Sequence, residues 1–375
     1  MNLEQLIAEL TKGISSITAG NILMIAIALV LLYLAIYKKY EPVLLLPIAF
    51  GCLLANIPLT GMTEENGLFG MLYKVGISTE LFPLLIFIGI GAMIDFSPLL
   101  AQPKMALLGA AGQFGIFATL ILATLLGFPL NEAASIGVIG AIDGPTSIYV
   151  SSKLAPNLLA PIAVAAYSYM SLVPIIQPPL MRLLTTKSER RIRMEYSPRP
   201  VSNRARILFP ILVTLIIGLL IPEATPLIGM FMLGNLLRES YVVERLAQSA
   251  QNEITNVATL FLGLTIGATM SAQSFLRWDT ILILVLGLFA FALDTVAGLL
   301  FGKLMSKTSK GKINPLIGAS GISAFPMAGR LAAKVAQDED FDNYILMHAM
   351  GANTAGQLAS VIAGGVLLAI VTPLI

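Results

Sequence analysis

The stretch Gly140-Ala141-Ile142-Asp143-Gly144-Pro145-Thr146-Ser147 sets one acid among small and hydroxyl-bearing residues inside an apolar run. A carboxylate at membrane depth costs at least ~2.5 kcal/mol even on the gentlest insertion scale. It stays charged if a cation replaces its lost water, and carboxylate, Thr, Ser and backbone carbonyl oxygens suit a hard ion such as Na⁺. The same group can hold a proton instead, so Asp143 is able to exchange Na⁺ for H⁺. A turn-forming Asp that caps the next helix is the plainer alternative; an acid within a membrane segment is functional by default.

A second polar stretch carries Asn314, Gly318, Ser320, Ser323 and Arg330, with amides and hydroxyls as neutral oxygen ligands. The Arg330 guanidinium can take a carboxylate bidentately, which suits an anionic substrate; a snorkelling helix-end Arg is the alternative. Tyr169 offers a phenol as proton donor or ligand, or belongs to an interfacial aromatic belt. Asn353 is an amide in an apolar helix, where it serves as ligand or as helix glue. Asp294 is another intramembrane acid, a second proton or ion candidate. Glu80 and Asp95 fall at helix ends and read as solvated caps, and His348 as a packed helix residue. Metal-ligand spacings and nucleophile motifs of the usual kinds are absent. The single cysteine, Cys52, excludes an internal disulfide and a cysteine-ligated metal.

The elements that must position these groups are membrane helices. With 57% hydrophobic and only 12% charged residues, 375 residues do not make an ordinary soluble protein. At roughly 20 residues per span the chain allows about ten crossings. The net charge of +2, with basic residues confined to one side, excludes a nucleic-acid footprint. Residues 1–20 read as an interfacial helix with Leu3, Leu6, Ile7, Leu10, Ile14 and Ile17 on one face; they lack the marks of a signal peptide. Twelve apolar segments follow, near 21–37, 42–58, 77–95, 104–127, 130–152, 157–181, 207–221, 225–237, 256–276, 280–302, 313–335 and 343–375. The fifth and eleventh contain Gly, Pro, Ser and a charge, so helical hydrogen bonding breaks there.

An internal duplication relates the halves. Ile90-Gly91-Ala92 matches Ile266-Gly267-Ala268, and Gly51-Cys52-Leu53-Leu54 resembles Gly234-Asn235-Leu236-Leu237. The eight basic residues between Arg182 and Arg206 place that loop in the cytoplasm. If both broken segments re-enter, each half crosses five times and the halves are inverted; all basic residues but Lys12, Lys74, Lys153 and Arg277 then face the cytoplasm. The expected architecture is an all-α polytopic membrane protein of two inverted repeats, with opposed re-entrant hairpins as in elevator-type transporters. Its parts are the N-terminal helix (1–20), a first repeat (21–184), a basic cytoplasmic loop (185–206) and a second repeat (207–375).

At Asp143-Gly144-Pro145-Thr146-Ser147-Ile148-Tyr149, Asn314-Pro315-Leu316-Ile317-Gly318, Ser323-Ala324-Phe325-Pro326-Met327-Ala328 and Gly351-Ala352-Asn353, the chain resembles the membrane β subunits of the sodium-pumping, biotin-dependent decarboxylases acting on oxaloacetate, methylmalonyl-CoA or glutaconyl-CoA. Gly140-Ala141-Ile142 departs from the family's usual Gly-Gly-Ala before the Asp. The resemblance implies a bacterial cytoplasmic-membrane protein that decarboxylates carboxybiotin, borne by a partner subunit, and exports Na⁺ while consuming an external proton. It implies Na⁺ ligands at Asp143, Asn314, Ser323 and Asn353, with Gly318 permitting the turn. Tyr169 would assist the proton and ion relay, and Arg330, with Ser323, would engage carboxybiotin. The implied partners are a biotin carrier subunit, a carboxyltransferase subunit and a small membrane anchor, with homo-oligomers in the complex. A Na⁺-coupled secondary transporter of a small carboxylate, with no chemistry of its own, would show the same inverted halves. A scaffold that merely anchors soluble subunits would tolerate changes at Asp143 and Arg330.

Overall fold

The computed structural model describes residues 11–195 and 200–375. The first ten positions of the expected interfacial helix lie outside these; residues 11–15 are helical, and Ile14 is exposed. The first long helix, α1 (Ala19–Ile36), starts at a capping box in which the Thr18 hydroxyl accepts from Asn21 N–H and the Asn21 side chain accepts from Thr18 N–H. Eleven further helices organise the described chain: α2 (Pro42–Ala55), α3 (Leu81–Met93), α4 (Phe114–Leu125), α5 (Gly144–Leu154), α6 (Leu159–Leu184), α7 (Asn203–Leu220), α8 (Thr225–Glu239), α9 (Thr255–Ala268), α10 (Trp278–Thr308), α11 (Met327–Glu339) and α12 (Leu346–Val371). Shorter turns join them.

Length and apolarity alone qualify six helices to cross a membrane, and a seventh if Leu68–Ile77 and α3, bent by 58°, form one broken span. The expected ten crossings also require α2, α8 and α9, of 14, 15 and 14 residues. At 1.5 Å per residue, 14 residues reach about 21 Å, less than the roughly 30 Å hydrocarbon core. These short helices are the most tightly crossed in the molecule. On the α2–α9 crossing, a Cβ at Gly51 would be driven into the Leu264 carbonyl, and one at Gly267 into that of Ile48. On the α3–α8 crossing, a Cβ at Gly91 would meet the Phe231 carbonyl and one at Gly234 that of Ile88. The glycines that revealed the duplication are therefore the close-contact points, where only a missing side chain lets two backbones approach.

Packing repeats with the halves exchanged. Helix α2 lies on α9 as α8 lies on α3, α6 lies on α10 and α11, and α12 lies on Ala106–Ala111 and α5. A π-helical turn precedes α3 at Tyr73–Ile77, and another precedes α9 at Ala250–Ile254.

Both Gly/Pro-rich segments break where expected. In the first, helix Leu130–Gly137 tightens into a 3₁₀ turn (Val138–Ala141); the chain reverses through Ile142 at φ 51° and restarts as α5 with Asp143 at its N-cap. The left-handed region is costly for a β-branched residue, so the departure from Gly-Gly-Ala places strain at the tip. In the second, the 3₁₀ turn Pro315–Gly321 leads through extended Ile322 into α11. Residues 133–151 and 314–324 are all buried.

The basic loop between the halves is folded onto the end of α11. Arg182 pairs with Asp338 at 2.8 Å, Arg190 with Glu339 at 2.5 Å and Arg193 with Asp340 at 2.7 Å. The Arg190 guanidinium holds the Glu339 carboxyl below the usual carboxylate range, and Arg193 does the same for Asp340. Carboxyls with lowered folded values contribute stability that is full above the unfolded value and lost as pH falls through the folded one.

Two outcomes are expected. Gly267→Val and Gly91→Val each lower the thermal midpoint of the detergent-solubilised protein by an overpacking cost of about 1–3 kcal/mol or more, whereas Gly229→Ala, with nothing closer than 4.0 Å to its new Cβ, does not. Hydrogen-exchange protection over residues 182–195, taken relative to the intrinsic rate at each pH, is kept from neutral pH into the ordinary carboxylate range and lost at lower pH, as the paired carboxyls protonate; Arg190→Ala removes that protection already at pH 7.

Candidate functional site

Asp143 caps α5 and is buried, with 4% of its surface exposed. Oδ2 accepts from Thr146 Oγ1 at 2.7 Å, Gln357 Nε2 at 2.8 Å and Ser360 Oγ at 3.0 Å, while Oδ1 receives only a long 3.5 Å bond from Thr146 N–H. One oxygen is thus saturated and the other is available. Thr146 follows from capping geometry, because the side chain at N-cap reaches the amide and side chain three residues on. Gln357 and Ser360 come from α12, where with Asn353 they follow the i, i+4, i+7 spacing of one helix face.

The two broken segments touch at their tips, where Ser323 N–H donates to the Ala141 carbonyl at 3.3 Å. Ser323 Oγ donates to the Gly356 carbonyl at 3.1 Å, and Asn353 Nδ2 to the Ile322 carbonyl at 2.7 Å. That last bond fixes the Asn353 amide, and its Oδ1 is buried with no donor among the described residues. A buried acceptor without a donor is the feature a cation satisfies. Asp143, Ser323 and Gln357 also line a cavity of about 270 Å³ that extends past Tyr167 and Phe325 to Glu41, at the start of α2.

The other sequence-derived candidates lie apart from this cluster. Asn314 caps the Pro315–Gly321 turn by accepting from Leu316 N–H, and its Nδ2 donates to the carbonyls of Arg190 (3.0 Å) and Ile192 (2.9 Å), tying the basic loop to the second break. Gly318 presses its backbone against Gly298 of α10. Ser320 Oγ reaches the Ala328 carbonyl at 3.4 Å. The Tyr169 hydroxyl donates to the Leu284 carbonyl on α10, whereas Tyr167, on another face of α6, lines the cavity. Arg330, one turn into α11, is exposed and, among the described residues, unpaired. Asp294 accepts from Gly115 N–H, and its Oδ2 has no donor. Asp95 caps Ser97 N–H at 2.8 Å, Glu80 pairs with Lys153 at 2.8 Å, and His348 Nδ1 shares a 2.7 Å hydrogen bond with Gln102. Among the described residues, no group of three or more His, Cys, Asp or Glu side chains is arranged to hold a metal ion.

Sequence reasoning passed over Gln357, Ser360, Tyr167 and Glu41. The helical spacing from Asn353 is a signal that would have found the first two. The others are united with Asp143 only by tertiary packing.

The architecture is thus all-helical, with long apolar helices around a polar centre. Residues 20–371 match the family model described as the Na⁺-transporting oxaloacetate decarboxylase beta subunit. The methylmalonyl-CoA decarboxylase subunit beta of Veillonella parvula is 55% identical over 361 residues, covering 96% of each chain. The glutaconyl-CoA decarboxylase subunit beta of Acidaminococcus fermentans is 54% identical, again over 96% of each. The oxaloacetate decarboxylase beta chain of Klebsiella pneumoniae is 48% identical, over 95% of this chain and 96% of the relative. These relatives are named for three different substrates, and each is named as a beta subunit or chain. A match over nearly the whole chain, on a helical frame with its polar residues gathered at two broken segments, places this multi-pass membrane protein in the family of β subunits of the Na⁺-transporting decarboxylases.

Proposed function

We propose that this subunit decarboxylates carboxybiotin brought by a biotin carrier subunit to its cytoplasmic face, and that it couples the reaction to Na⁺ export with uptake of one external proton. The observation that carries the reading is the meeting of the two tips, where Asp143 and Ser323 line one cavity and, among the described residues, the oxygen of the Asn353 amide bonded beside Ser323 has no donor. Na⁺ is the cargo. Asp143 Oδ1, Asn353 Oδ1 and Ser323 Oγ are its ligands, and Asn314 and Gly318 hold the second break in shape behind them.

The chemistry balances at Asp143. Cleaving the N–CO₂⁻ bond releases CO₂ and leaves the ureido nitrogen to be protonated. A proton on Asp143, displaced when Na⁺ binds, supplies it, and a proton taken from outside resets the carboxyl as Na⁺ leaves. Arg330 supports the delivery step: an exposed, unpaired guanidinium one turn from a membrane-depth tip requires water around it, so the cytoplasmic side holds an aqueous vestibule where it engages the carboxybiotin carboxylate. Tyr169 steadies α6 against α10 and so shapes the relay.

The exchanged packing of the halves supports two inverted repeats of five crossings, with the first hairpin entering from outside, the second from the cytoplasm, and alternating access of the elevator kind. The bacterial cytoplasmic membrane is the proposed location. A carboxyltransferase subunit and a small membrane anchor complete the complex, in which this chain forms a homo-oligomer.

The test is reconstitution in sealed vesicles, with carboxylated carrier protein added to the cytoplasmic face and CO₂ release and ²²Na⁺ uptake followed together. Both occur in the wild type, and Asp143→Asn lowers both by about 100-fold or more, the scale of a lost proton-transfer group. If a soluble carboxylate drives ²²Na⁺ uptake without biotin, the chain is a symporter and the proposal fails.

A further inference from the structure

The cavity that ends on Asp143 begins at a second carboxylate. Glu41 follows Lys38 and Lys39, two of the residues that assign this end to the cytoplasm, and it occupies the left-handed region at φ 33° immediately before α2. That conformation disfavours a side chain, and a residue held there by its surroundings marks a position to examine for function. The Glu41 carboxylate has no ion pair and no hydrogen bond among the described residues, although two lysines lie within three positions. It is half-buried and lines the cavity with Val43 and Leu44, and burial pushes its carboxyl above the ordinary range.

Between the two acids stands Tyr167. Only 6% of its surface is exposed, and its ring tip covers Gly144, where a Cβ would be driven into it. Its hydroxyl is without a hydrogen-bond partner among the described residues and lies within electrostatic range of both Asp143 and Glu41. A phenol oxygen without a partner on the wall of a cavity is free to accept a ligand there. Thr259 of α9 adds a further hydroxyl-bearing side chain to the same wall. Thr255, Ser323 and Gln357 are the other polar residues of the lining, and the remainder is apolar, with Ile86, Ile90 and Met170 among it, so a dehydrated cation can rest only beside these few oxygen-bearing side chains.

We propose that Glu41 and Tyr167 form the arrival station for Na⁺, a second cation site on the cytoplasmic side from which the ion passes to Asp143. The proposal rests on the reading of Asp143 as the inner Na⁺ site. Glu41 draws the cation to the mouth, because a negatively charged, low-dielectric cleft concentrates counter-ions. Tyr167 then offers its oxygen as the ion sheds water on its way inward.

The test uses the same vesicles and carrier, with CO₂ release measured against Na⁺ concentration on the carrier side. Glu41→Gln raises the half-activating Na⁺ concentration by about tenfold, the lower end of what such a cleft supplies, and leaves the rate at saturating Na⁺ near that of the wild type. Glu41→Asp restores most of the loss, and Tyr167→Phe gives a smaller shift in the same direction. In the unmutated protein, carbodiimide modification of Glu41, read by peptide mass spectrometry, is slowed by Na⁺ and not by choline. The proposal is overturned if Glu41→Gln leaves the half-activating concentration unchanged or lowers only the saturating rate. Unprotected labelling overturns it even where the variant fails to fold. Asp143→Asn separates the two readings: full activity in that variant removes the inner site, whereas its loss alongside an indifferent Glu41→Gln removes the arrival station alone.

Discussion

Lipid offers no hydrogen bonds, so a backbone that breaks in the membrane has to be closed by protein. Everything at the centre of this molecule follows from closing two such breaks. Side-chain amides on the surrounding helices act as substitute backbone donors. Gln113 Nε2 donates to the carbonyls of Gly109, Gly321 and Gly356, Gln177 Nε2 to that of Ala319, and Asn353 Nδ2 to that of Ile322. Each amide spends its nitrogen on a carbonyl and leaves its own oxygen uncovered, and all three oxygens are buried without donors. An unsatisfied buried acceptor costs about 1–3 kcal/mol. The arrangement that satisfies the broken backbone thus creates a set of acceptor oxygens, and the one on Asn353 adjoins the tip contact beside Asp143.

The duplicated glycines show how such a centre is reached by short helices. Backbone-to-backbone contact at Gly51, Gly267, Gly91 and Gly234 lets α2, α3, α8 and α9 cross as two matched pairs, a packing driven by close approach because lipid supplies no hydrophobic force between helices. The symmetry stops at the chemistry. Asp143-Gly144-Pro145 in the first break is matched by Ala324-Phe325-Pro326 in the second, so one half contributes the charge and the other contributes neutral oxygens. Two facing carboxylates would repel one another and bind a proton between them. In the proposed cycle, a single one leaves the site with one net charge to exchange.

Composition and basic-residue placement made the helical class, the segment order and the two breaks legible, because those depend on local chemistry along the chain. Residue roles within the centre were legible only where spacing encodes them. Tyr167 and Tyr169 are two positions apart, about 200° around a helix, and nothing in Tyr167-Ser168-Tyr169 says which faces the acid; packing turns the first to the cavity and the second to Leu284. Asn314 carries the same amide as Asn353, yet it spends its nitrogen on Arg190 and Ile192 and lies with the basic loop. Glu41 looks like any helix-end acid in sequence, and only the folded chain shows it on the wall of the cavity that Asp143 lines. The strain at Ile142 is likewise a property of the reversed tip and not of its own neighbours in sequence.

Helix α12 is the element through which the two breaks sense each other. Gln357 and Ser360 hold the first tip through Asp143, and one turn earlier Asn353 holds the second through Ile322, while the Gly356 carbonyl between them receives Ser323. Three donors fix Asp143 Oδ2, so the ion of the proposed cycle meets a formed site and loses little ordering entropy on binding. A change in charge at Asp143 alters its bonds to Gln357 and Ser360, and any shift of that helix face is felt at Ile322 and Ser323. Neither tip can rearrange alone without leaving buried donors or acceptors exposed to lipid. In the proposed cycle, this is the physical reason that loading the carboxylate and reopening the second break occur as one event.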